Sequence, residues 1–412
     1  MKLPSFQPRA AGTIEETGLP RGLIFELILK RIFLEGTTSI QRLADSTRLE
    51  FEVVSSVFQR FRKEQLCEAK GLVGRDYELS LTVQGVRMAE DAYRKNQYSG
   101  PAPVSLEEYC RAVREQALHP RVTHESLSEN LSDLVVSEEL VRALGTAIMT
   151  GGALFLYGPT GNGKSSISER LSRIFDDYVY VPCAVEVSGQ ILSVYDPVVH
   201  KPVPEQPPDM DRRWVLCHRP LLTIGGELRA EMLEPRVDEV TRICLAPLSM
   251  MANNGILVID DFGRQHIQPR ELLNRWIVPL DRRIDSFSLW SGIRFTVPFE
   301  VMVVFATNLE LNQLAEEAFI RRIKNKIRID NVTQQMFVQI FRHECSHRGI
   351  EYSEEMGEYA TRRCAEFSPQ GLRACFPRDL LEIISGAAAF EQRAARLERA
   401  DLDDALNLYF AQ

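Results

Sequence analysis

The octapeptide Gly158–Ser165, GPTGNGKS, constrains the fold more than any other part of the sequence. It follows an apolar, strand-like run, Ala153–Tyr157, and it precedes a segment with helical periodicity. In such a strand–loop–helix unit, glycines let the backbone curl until its N–H groups face phosphate oxygens. The lysine amine then reaches the outer phosphates, and the final hydroxyl can ligate Mg²⁺. The segment therefore predicts a phosphate-binding P-loop, with candidate contacts at Gly158, Pro159, Thr160, Gly161, Asn162, Gly163, Lys164, Ser165 and Ser166.

A second apolar run, Gly255–Ile259, ends in two adjacent carboxylates, Asp260 and Asp261. Such a run is typical of a central parallel strand that is covered on both faces. Open α/β sheets bind their ligands at the carboxyl ends of these strands. Beside a P-loop, Asp260 is the candidate Mg²⁺ ligand, and Asp261 is the candidate residue that orients or polarises an attacking water. The alternative is an ordinary strand that ends in an acidic turn.

Composition and periodicity divide the chain into five segments. Residues 1–20 are polar and contain three prolines, which predicts a flexible tail. Residues 21–98 form a first folded domain, and residues 99–120 are predicted to be a linker with a short helix. In residues 121–330, strand-like runs alternate with helical segments, so the predicted class is α/β with a largely parallel sheet. Residues 331–412 are predicted to be helical throughout.

The first domain, residues 21–98, shows the order helix, helix, helix, hairpin, helix. It thereby resembles a winged helix-turn-helix domain. The resemblance depends on apolar residues at helical spacing in the third helix and at alternate positions in the hairpin: Phe51, Val54, Phe58, Phe61, Tyr77, Leu79 and Leu81. Acidic residues nearly balance the basic ones of this helix and hairpin. Two alternatives therefore stay open, a protein-docking or structural module and a DNA-binding module.

Charge and cysteine usage exclude several classes of protein. The net charge of -8 argues against a surface that is a nucleic-acid footprint throughout. The eight cysteines are scattered without a C-x-x-C pair, which is typical of free thiols in a reducing compartment. The sequence has neither a secretory h-region nor an apolar stretch long enough to span a membrane. We therefore expect a cytoplasmic location and no membrane insertion.

Together with the segments that follow them, the two motifs resemble an AAA+ ATPase over about residues 122–412. Val303–Asn308 is similar to the sensor-1 strand, in which Asn308 would sense the γ-phosphate. Phe376–Leu380 is similar to the sensor-2 segment, in which Arg378 would contact the nucleotide from a helical lid. The resemblance implies a P-loop AAA+ core with a parallel sheet and a C-terminal helical lid.

The segment Ala318–Ile323, AFIRRI, resembles the arginine-finger segment of the same superfamily. There an arginine of one subunit stabilises charge that develops at the nucleotide of its neighbour. Arg322 is the favoured residue and Arg321 the alternative, while a solvated basic turn is the plainer interpretation of this pair. The resemblance implies a homo-oligomeric ring, expected to be a hexamer, with ATP and Mg²⁺ as cofactors and with active sites at subunit boundaries.

Two further features bear on this resemblance. The second acidic residue is usually Glu in the superfamily, and the Asp261 side chain is one methylene shorter. Three alternatives follow: Asp261 holds the attacking water with this shorter side chain, hydrolysis is slow, or another residue assists. Ile284–Val297 predicts a β-hairpin that is similar to the pre-sensor-1 insertion of the MoxR-like, McrB-like and minichromosome-maintenance-like branches. At its tip, Trp290 either contacts a substrate or packs against the domain. Trp214–Glu227 predicts a second inserted hairpin.

The histidines His343 and His347 lie four residues apart on a predicted helix, with Cys345 between them. Two such histidines can share a helix face and bind a metal. However, no third ligand is evident, so we expect surface histidines instead.

From these features we expect a ring-forming, Mg²⁺-dependent ATPase that remodels a protein client in a chaperone-like manner. One alternative is a DNA-directed motor or transcription-related ATPase that is recruited through residues 21–98. Another is a nucleotide-gated switch that hydrolyses ATP slowly. The client is not specified by the sequence.

Overall fold

The computed structural model describes residues 4–73, 76–118, 122–314 and 321–410 and has a mixed α/β architecture. The α-helices, numbered along the chain, are α1 (Arg21–Glu35), α2 (Ile40–Thr47), α3 (Phe51–Lys63), α4 (Val83–Lys95), α5 (Leu106–Glu115), α6 (His124–Asn130), α7 (Glu138–Thr150), α8 (Lys164–Arg170), α9 (Leu248–Met251), α10 (Pro269–Arg282), α11 (Leu311–Leu314), α12 (Gln334–Arg348), α13 (Glu354–Phe367), α14 (Phe376–Phe390) and α15 (Arg399–Tyr409).

The strands, numbered in the same way, are β1 (Thr37–Ser39), β2 (Cys67–Val73), β3 (Asp76–Leu81), β4 (Val104–Ser105), β5 (Ala153–Tyr157), β6 (Tyr178–Pro182), β7 (Ala184–Val187), β8 (Gln190–Ser193), β9 (Trp214–His218), β10 (Leu221–Ile224), β11 (Arg236–Val237), β12 (Cys244–Leu245), β13 (Ile256–Ile259), β14 (Ile284–Ser288), β15 (Arg294–Pro298), β16 (Met302–Thr307) and β17 (Asn325–Arg328). Short 3-10 helices lie at Glu15–Thr17, Leu171–Ile174 and Ala230–Leu233.

A five-stranded, fully parallel sheet with the order β10–β13–β16–β5–β17 forms the centre of the molecule. Every residue of β13 and β16 is buried, as expected for central strands that are covered on both faces. Helices α6, α7 and α8 pack on one face, and α9 and α10 pack on the other. Because the strands are parallel, their carboxyl ends meet at one edge, and β16 lies between β5 and β13. The parallel sheet predicted from the sequence is confirmed.

The first domain has the predicted order of helices and hairpin, with the short strand β1 added to give a three-stranded antiparallel sheet, β1–β3–β2. Side-chain caps fix two of its helix starts. The Ser39 hydroxyl accepts a hydrogen bond from the N–H of Arg42, and the Thr82 hydroxyl accepts one from that of Gly85. Apolar residues of α1, α2 and α3 form its core. Residues 74 and 75 lie outside the described part of this hairpin.

The prediction of a flexible tail over residues 1–20 is wrong for the described residues 4–20. Phe6 is buried, and its ring lies 5.0 Å from that of Trp214. The carbonyl of Pro8 accepts a hydrogen bond from the N–H of Asp211, and Arg213 donates one to the carbonyl of Thr17. The segment is polar on average, but it contains a few apolar residues that pack against residues far along the chain.

The prediction of a linker over residues 99–120 also needs correction. Strand β4 pairs in parallel with β7, and it completes a second, mixed sheet with the order β11–β12–β8–β7–β4. Helix α5 packs on this sheet through the buried residues Tyr109, Ala112 and Val113. The segment is therefore part of a core, because every third or fourth residue of α5 is apolar although the helix is polar on average.

Of the two predicted hairpins, one is confirmed and the other is wrong. Strands β14 and β15 pair antiparallel, with Trp290 in the turn and 77% exposed. In contrast, β9 pairs with β6 and β10 pairs in parallel with β13, so Trp214–Glu227 is not a hairpin. The Arg219 side chain holds the connection between β9 and β10 through Asp177 and the carbonyl of Asn254, which directs the two strands into different sheets.

The C-terminal segment contains four helices, α12 to α15, around a core of its own. Thr333 and Ser353 cap α12 and α13 with their hydroxyl oxygens. The connection from β17 to α12 brings this helical domain beside the carboxyl edge of the parallel sheet. Within the described ranges, no helix is long and apolar enough to cross a membrane.

Candidate functional site

The glycine-rich loop joins β5 to α8, as the sequence predicts, and its backbone has positive φ angles at Gly158, Gly161 and Gly163. Gly158 has φ 130° and Gly161 has φ 79°. A Cβ atom at Gly158 would lie 2.3 Å from the carbonyl oxygen of Ile329, and one at Gly161 would lie 2.6 Å from the sulfur of Cys375. Only glycine satisfies both the backbone conformation and the close approach at these two positions. A side chain at either position would therefore fill the space that the loop encloses.

The amine of Lys164 faces the loop that precedes it. Its Nζ donates hydrogen bonds to the carbonyl oxygens of Gly158 at 2.9 Å and Pro159 at 2.7 Å. Burial lowers the pKa of the Lys164 amine, and the charges of Asp260 and Asp261 oppose that shift. The Lys164 amine thus lies between the loop and the acidic end of β13, and Lys164 lines the cavity at this edge of the sheet.

The acidic pair occupies a tight turn directly after β13. The Asp260 carboxylate accepts a hydrogen bond of 2.9 Å from the N–H of Asp261, whose φ of 48° is left-handed. The Gln265 amide donates to the carbonyl oxygens of Asp260 at 2.8 Å and Asp261 at 3.1 Å, and it accepts from the N–H of Gly263 at 2.8 Å. Gln265 therefore fixes the backbone that carries both carboxylates. No sequence pattern marks Gln265, since only its contacts reveal its role.

Asn308 follows β16 and thus lies between the strands that carry the loop and the acidic pair. Its side-chain oxygen is buried and has no hydrogen-bond partner among the described residues. A buried polar atom without a partner is unfavourable by about 1–3 kcal/mol, so such atoms are retained where a ligand or a solvent molecule binds. Asn308 is consequently available to a group in the cavity.

These groups converge on one cavity of about 360 Å³ at the carboxyl edge of the sheet. The sequence-predicted residues that line it are Thr160, Gly161, Asn162, Gly163, Lys164, Ser165, Ser166, Asp260, Asp261, Asn308 and Arg378. Gly158 and Pro159 lie at the base of the loop, where their carbonyls hold Lys164. The cavity has the size of ordinary small-molecule sites. Its lining combines two cations, Lys164 and Arg378, with the carboxylates of Asp133, Asp260, Asp261 and Glu344.

The helical domain supplies one wall of the cavity. Arg378, on the first turn of α14, donates to Asp379 at 3.0 Å, and this contact raises the pKa of the arginine. Asp379 also accepts a hydrogen bond of 3.1 Å from the Tyr409 hydroxyl. Ile340, His343 and Glu344 of α12 line the same wall. His343 is an exposed histidine, as predicted, yet its position at this cavity was not predicted.

A further wall of the cavity was not predicted from the sequence. It consists of residues 133–136, between α6 and α7, where three apolar residues follow Asp133. Arg170 and Arg173 donate to the Asp133 carboxylate at 3.0 Å each. Although burial raises it, these two arginines leave the pKa of Asp133 below its ordinary value. The wall is thus apolar on its surface and fixed by ion pairs to α8 and the turn after it.

The two candidate finger arginines, Arg321 and Arg322, do not line this cavity. Both are exposed, and Arg322 forms an ion pair with Asp281 at 3.2 Å. Residues 318–320 of the predicted finger segment lie outside the described residues, whereas Ile323 is buried.

The donor set fits a Mg²⁺–nucleotide complex. Ser165 and Asp260 place a hydroxyl and a carboxylate in one cavity, and Mg²⁺ is usually held by one or two such protein oxygens together with substrate phosphates and water. In the described part of the chain, no three His, Cys, Asp or Glu side chains form a cluster that could hold a metal without such a substrate.

Comparison with known families gives one result for the helical domain. Residues 333–408 match the model of a domain of unknown function, DUF8689. The match coincides with α12 to α15, so the helical domain is a sequence unit by itself. No curated protein matches the chain.

Proposed function

We propose that this protein is a Mg²⁺-dependent ATPase of the AAA+ class that couples ATP hydrolysis to the remodelling of a protein client. The observation that carries the proposal is the convergence of Lys164, Asp261 and Asn308 on one cavity although they come from three separate strand ends. The position of β16 between β5 and β13 supports the sensor-1 role of Asn308. The four-helix domain beside the cavity supports the role of a lid.

Each residue has a role that follows from its position. The N–H groups of the loop and the Lys164 amine bind the phosphates, and the open carboxylate of Asp261 orients the attacking water. Asn308 contacts the terminal phosphate or that water, and Arg378 contributes positive charge from the lid. A Mg²⁺ ion held by Ser165 and Asp260 would supply charge neutralisation at the outer phosphates.

The finger arginine belongs to a neighbouring subunit in this proposal. Arg322 is exposed and lies outside the cavity of its own chain, which suits a residue that acts on another copy. Its ion pair with Asp281 is exposed and therefore weak, of the order of 0.2–1 kcal/mol. A closed ring of identical subunits, expected to be a hexamer, would give every cavity one such arginine.

A protein client is favoured by two features. The indole of Trp290 is exposed, so it does not pack against the domain and leaves an apolar group at the tip of the hairpin. The ion pair of Arg275 with Asp285 at 2.7 Å holds the base of the hairpin. The first domain has the helix and hairpin order of a winged helix, but on the exposed face of α3 Arg60 is paired with Glu64 at 2.8 Å. Such neutralisation weakens attraction to phosphates.

The test is Mg²⁺–ATP turnover by the wild type, Lys164→Ala and Asp261→Asn, with the exposed Lys201→Ala as the matched control. We expect turnover to fall roughly 100-fold or more in the first two variants, because a group that acts in the transition state is removed, and to be unchanged in the control. Equal rates in all four proteins would refute the ATPase. Stimulation by duplex DNA that declines steeply with salt would replace the protein client by DNA as the partner.

A further inference from the structure

The side chain of Asn162, at the tip of the loop, contacts the helical domain at two places. It is buried, with 6% of its surface exposed. Its side-chain oxygen accepts a hydrogen bond of 3.2 Å from the N–H of Ala374, and its amide nitrogen donates one of 2.9 Å to the side-chain oxygen of Asn331. Asn331 lies in the connection from β17 to α12, and Ala374 lies just before α14. One side chain thus joins the loop to the segments that precede two helices.

Neighbouring hydrogen bonds join these segments to one another. The carbonyl of Gly161 accepts a bond of 2.9 Å from the N–H of Cys375, and the N–H of Val332 donates one of 3.0 Å to the carbonyl of Leu372. Asn331 also donates through its side chain to the carbonyl of Gln370 at 2.6 Å. The loop tip, the connection at residues 331–332 and the segment 370–375 therefore form one hydrogen-bonded unit.

The two helices that follow this unit carry the residues of the cavity wall. Ile340 and His343 lie on α12, and Arg378 lies on α14. We infer that Asn162 is a positioning residue that couples phosphate binding in the loop to the position of the helical domain. This inference rests on the proposed function, since it takes the loop to be the phosphate site.

The chemistry of the side chain explains why it is an asparagine. A planar carboxamide offers one acceptor and one donor on neighbouring atoms, and Asn162 uses both. Aspartate would keep the acceptor for Ala374 but would lose the donor for Asn331 and add negative charge beside the phosphates. Alanine would lose both contacts. The variants Asn162→Asp and Asn162→Ala therefore distinguish the contact with Asn331 from the contact with Ala374.

The first test is hydrogen exchange of the full chain without nucleotide. We expect Asn162→Ala to exchange faster than wild type in residues 331–336 and 370–378, while α13, which contributes no residue to the cavity lining, is unchanged. Asn162→Asp should exchange faster in residues 331–336 alone. Asn274→Ala, at an exposed position on α10, is the matched control and should behave as wild type. Wild-type exchange in both segments of Asn162→Ala would overturn the inference.

The second test is the affinity for ADP in a double-mutant cycle. Asn162→Ala and Asn331→Ala should each weaken binding by roughly tenfold, the effect of losing one or two buried hydrogen bonds. The loss in the double variant should be smaller than the sum of the two single losses, because both changes remove the hydrogen bond that joins Asn162 to Asn331. Fully additive losses would overturn the inference. A wild type that does not bind ADP refutes the proposed function instead, and hydrogen exchange then still decides the role of Asn162.

Discussion

The side-chain hydroxyl of Thr307 donates a hydrogen bond of 2.7 Å to the carbonyl oxygen of Phe262, and both residues are buried. The N–H of Phe262 in turn donates a bond of 2.7 Å to the carbonyl of Ala306. The turn that carries Asp261 is thereby fixed to the end of the strand that carries Asn308. Two candidate catalytic groups on different strands are held in register by these two contacts.

Replacement of Thr307 by valine tests this register. Valine keeps the shape of the side chain but removes the hydroxyl, so we expect a loss of about 1–2 kcal/mol in the free energy of unfolding. ATP turnover should fall roughly tenfold while the affinity for ATP changes little, because the glycine-rich loop, to which the proposed function assigns ATP binding, is not altered. Urea unfolding and steady-state kinetics measure the two effects. Thr307→Ser, which keeps the hydroxyl, should be close to wild type, and equal kinetics in the serine and valine variants would contradict the argument.

Gln265 provides a separate test of the acidic turn. Its amide donates to the carbonyls of both Asp260 and Asp261, so Gln265→Ala should release the left-handed backbone at Asp261. We expect kcat to fall at least about tenfold, with the Kd for ATP within about twofold of wild type, since orientation of the water rather than phosphate binding is lost. Gln268→Ala, at an exposed position, is the control. A proportionate loss of affinity in Gln265→Ala would show that the turn binds the nucleotide instead of positioning Asp261.

The sequence predicted those parts of the site that are carried by local patterns. Lys164, Asp260 and Asn308 each end an apolar strand or begin a helix, and the parallel sheet then brings such ends to one edge. Their convergence in one cavity follows from the topology and was predictable. The resemblance supplied Arg378, which also lines this cavity.

The missed features depend on contacts between residues that are distant in the sequence. Phe6 looked like part of a free tail because its partner, Trp214, lies on a strand that the sequence did not link to it. The roles of Gln265 and Asn162 depend on which carbonyls and amides fold back onto them, and no spacing rule encodes that. The second, mixed sheet was missed because its strands have two to four residues each, too few to show a period.

The buried pair of Arg213 and Asp211 connects the N-terminal segment to the rest of the molecule. Arg213 donates to Asp211 at 2.7 Å and to the carbonyls of Thr17 and Pro103 at 3.0 Å each. Arg213→Ala would leave the Asp211 carboxylate buried without its partner, which should lower the free energy of unfolding by about 3–5 kcal/mol. Urea unfolding measures the loss.

Limited proteolysis shows which part of the chain is destabilised in Arg213→Ala. We expect residues 4–20 to become susceptible to cleavage. The exposed Arg94→Ala is the control and should lie within about 0.5 kcal/mol of wild type. Arg213→Lys keeps the charge but cannot reach all three partners, so its stability should be intermediate. Wild-type stability in Arg213→Lys and Arg213→Ala would show that the pair does not anchor the segment.

The assignment of Arg322 to a neighbouring active site predicts complementation between two inactive variants. Arg322→Ala should retain ATP binding and lose turnover, and Lys164→Ala should lose both. In a mixed ring, a cavity with an intact Lys164 can face a neighbour with an intact Arg322. With equal amounts of the two variants, about half of the cavities have Lys164 and about half of their neighbours have Arg322, so up to about a quarter of wild-type turnover should be recovered. Measurement of ATP turnover against the mixing ratio checks this, with Arg94→Ala in place of Arg322→Ala as the control. If Arg322 acted on its own chain, every subunit in the mixture would lack one essential group, and the mixture would remain inactive at every ratio.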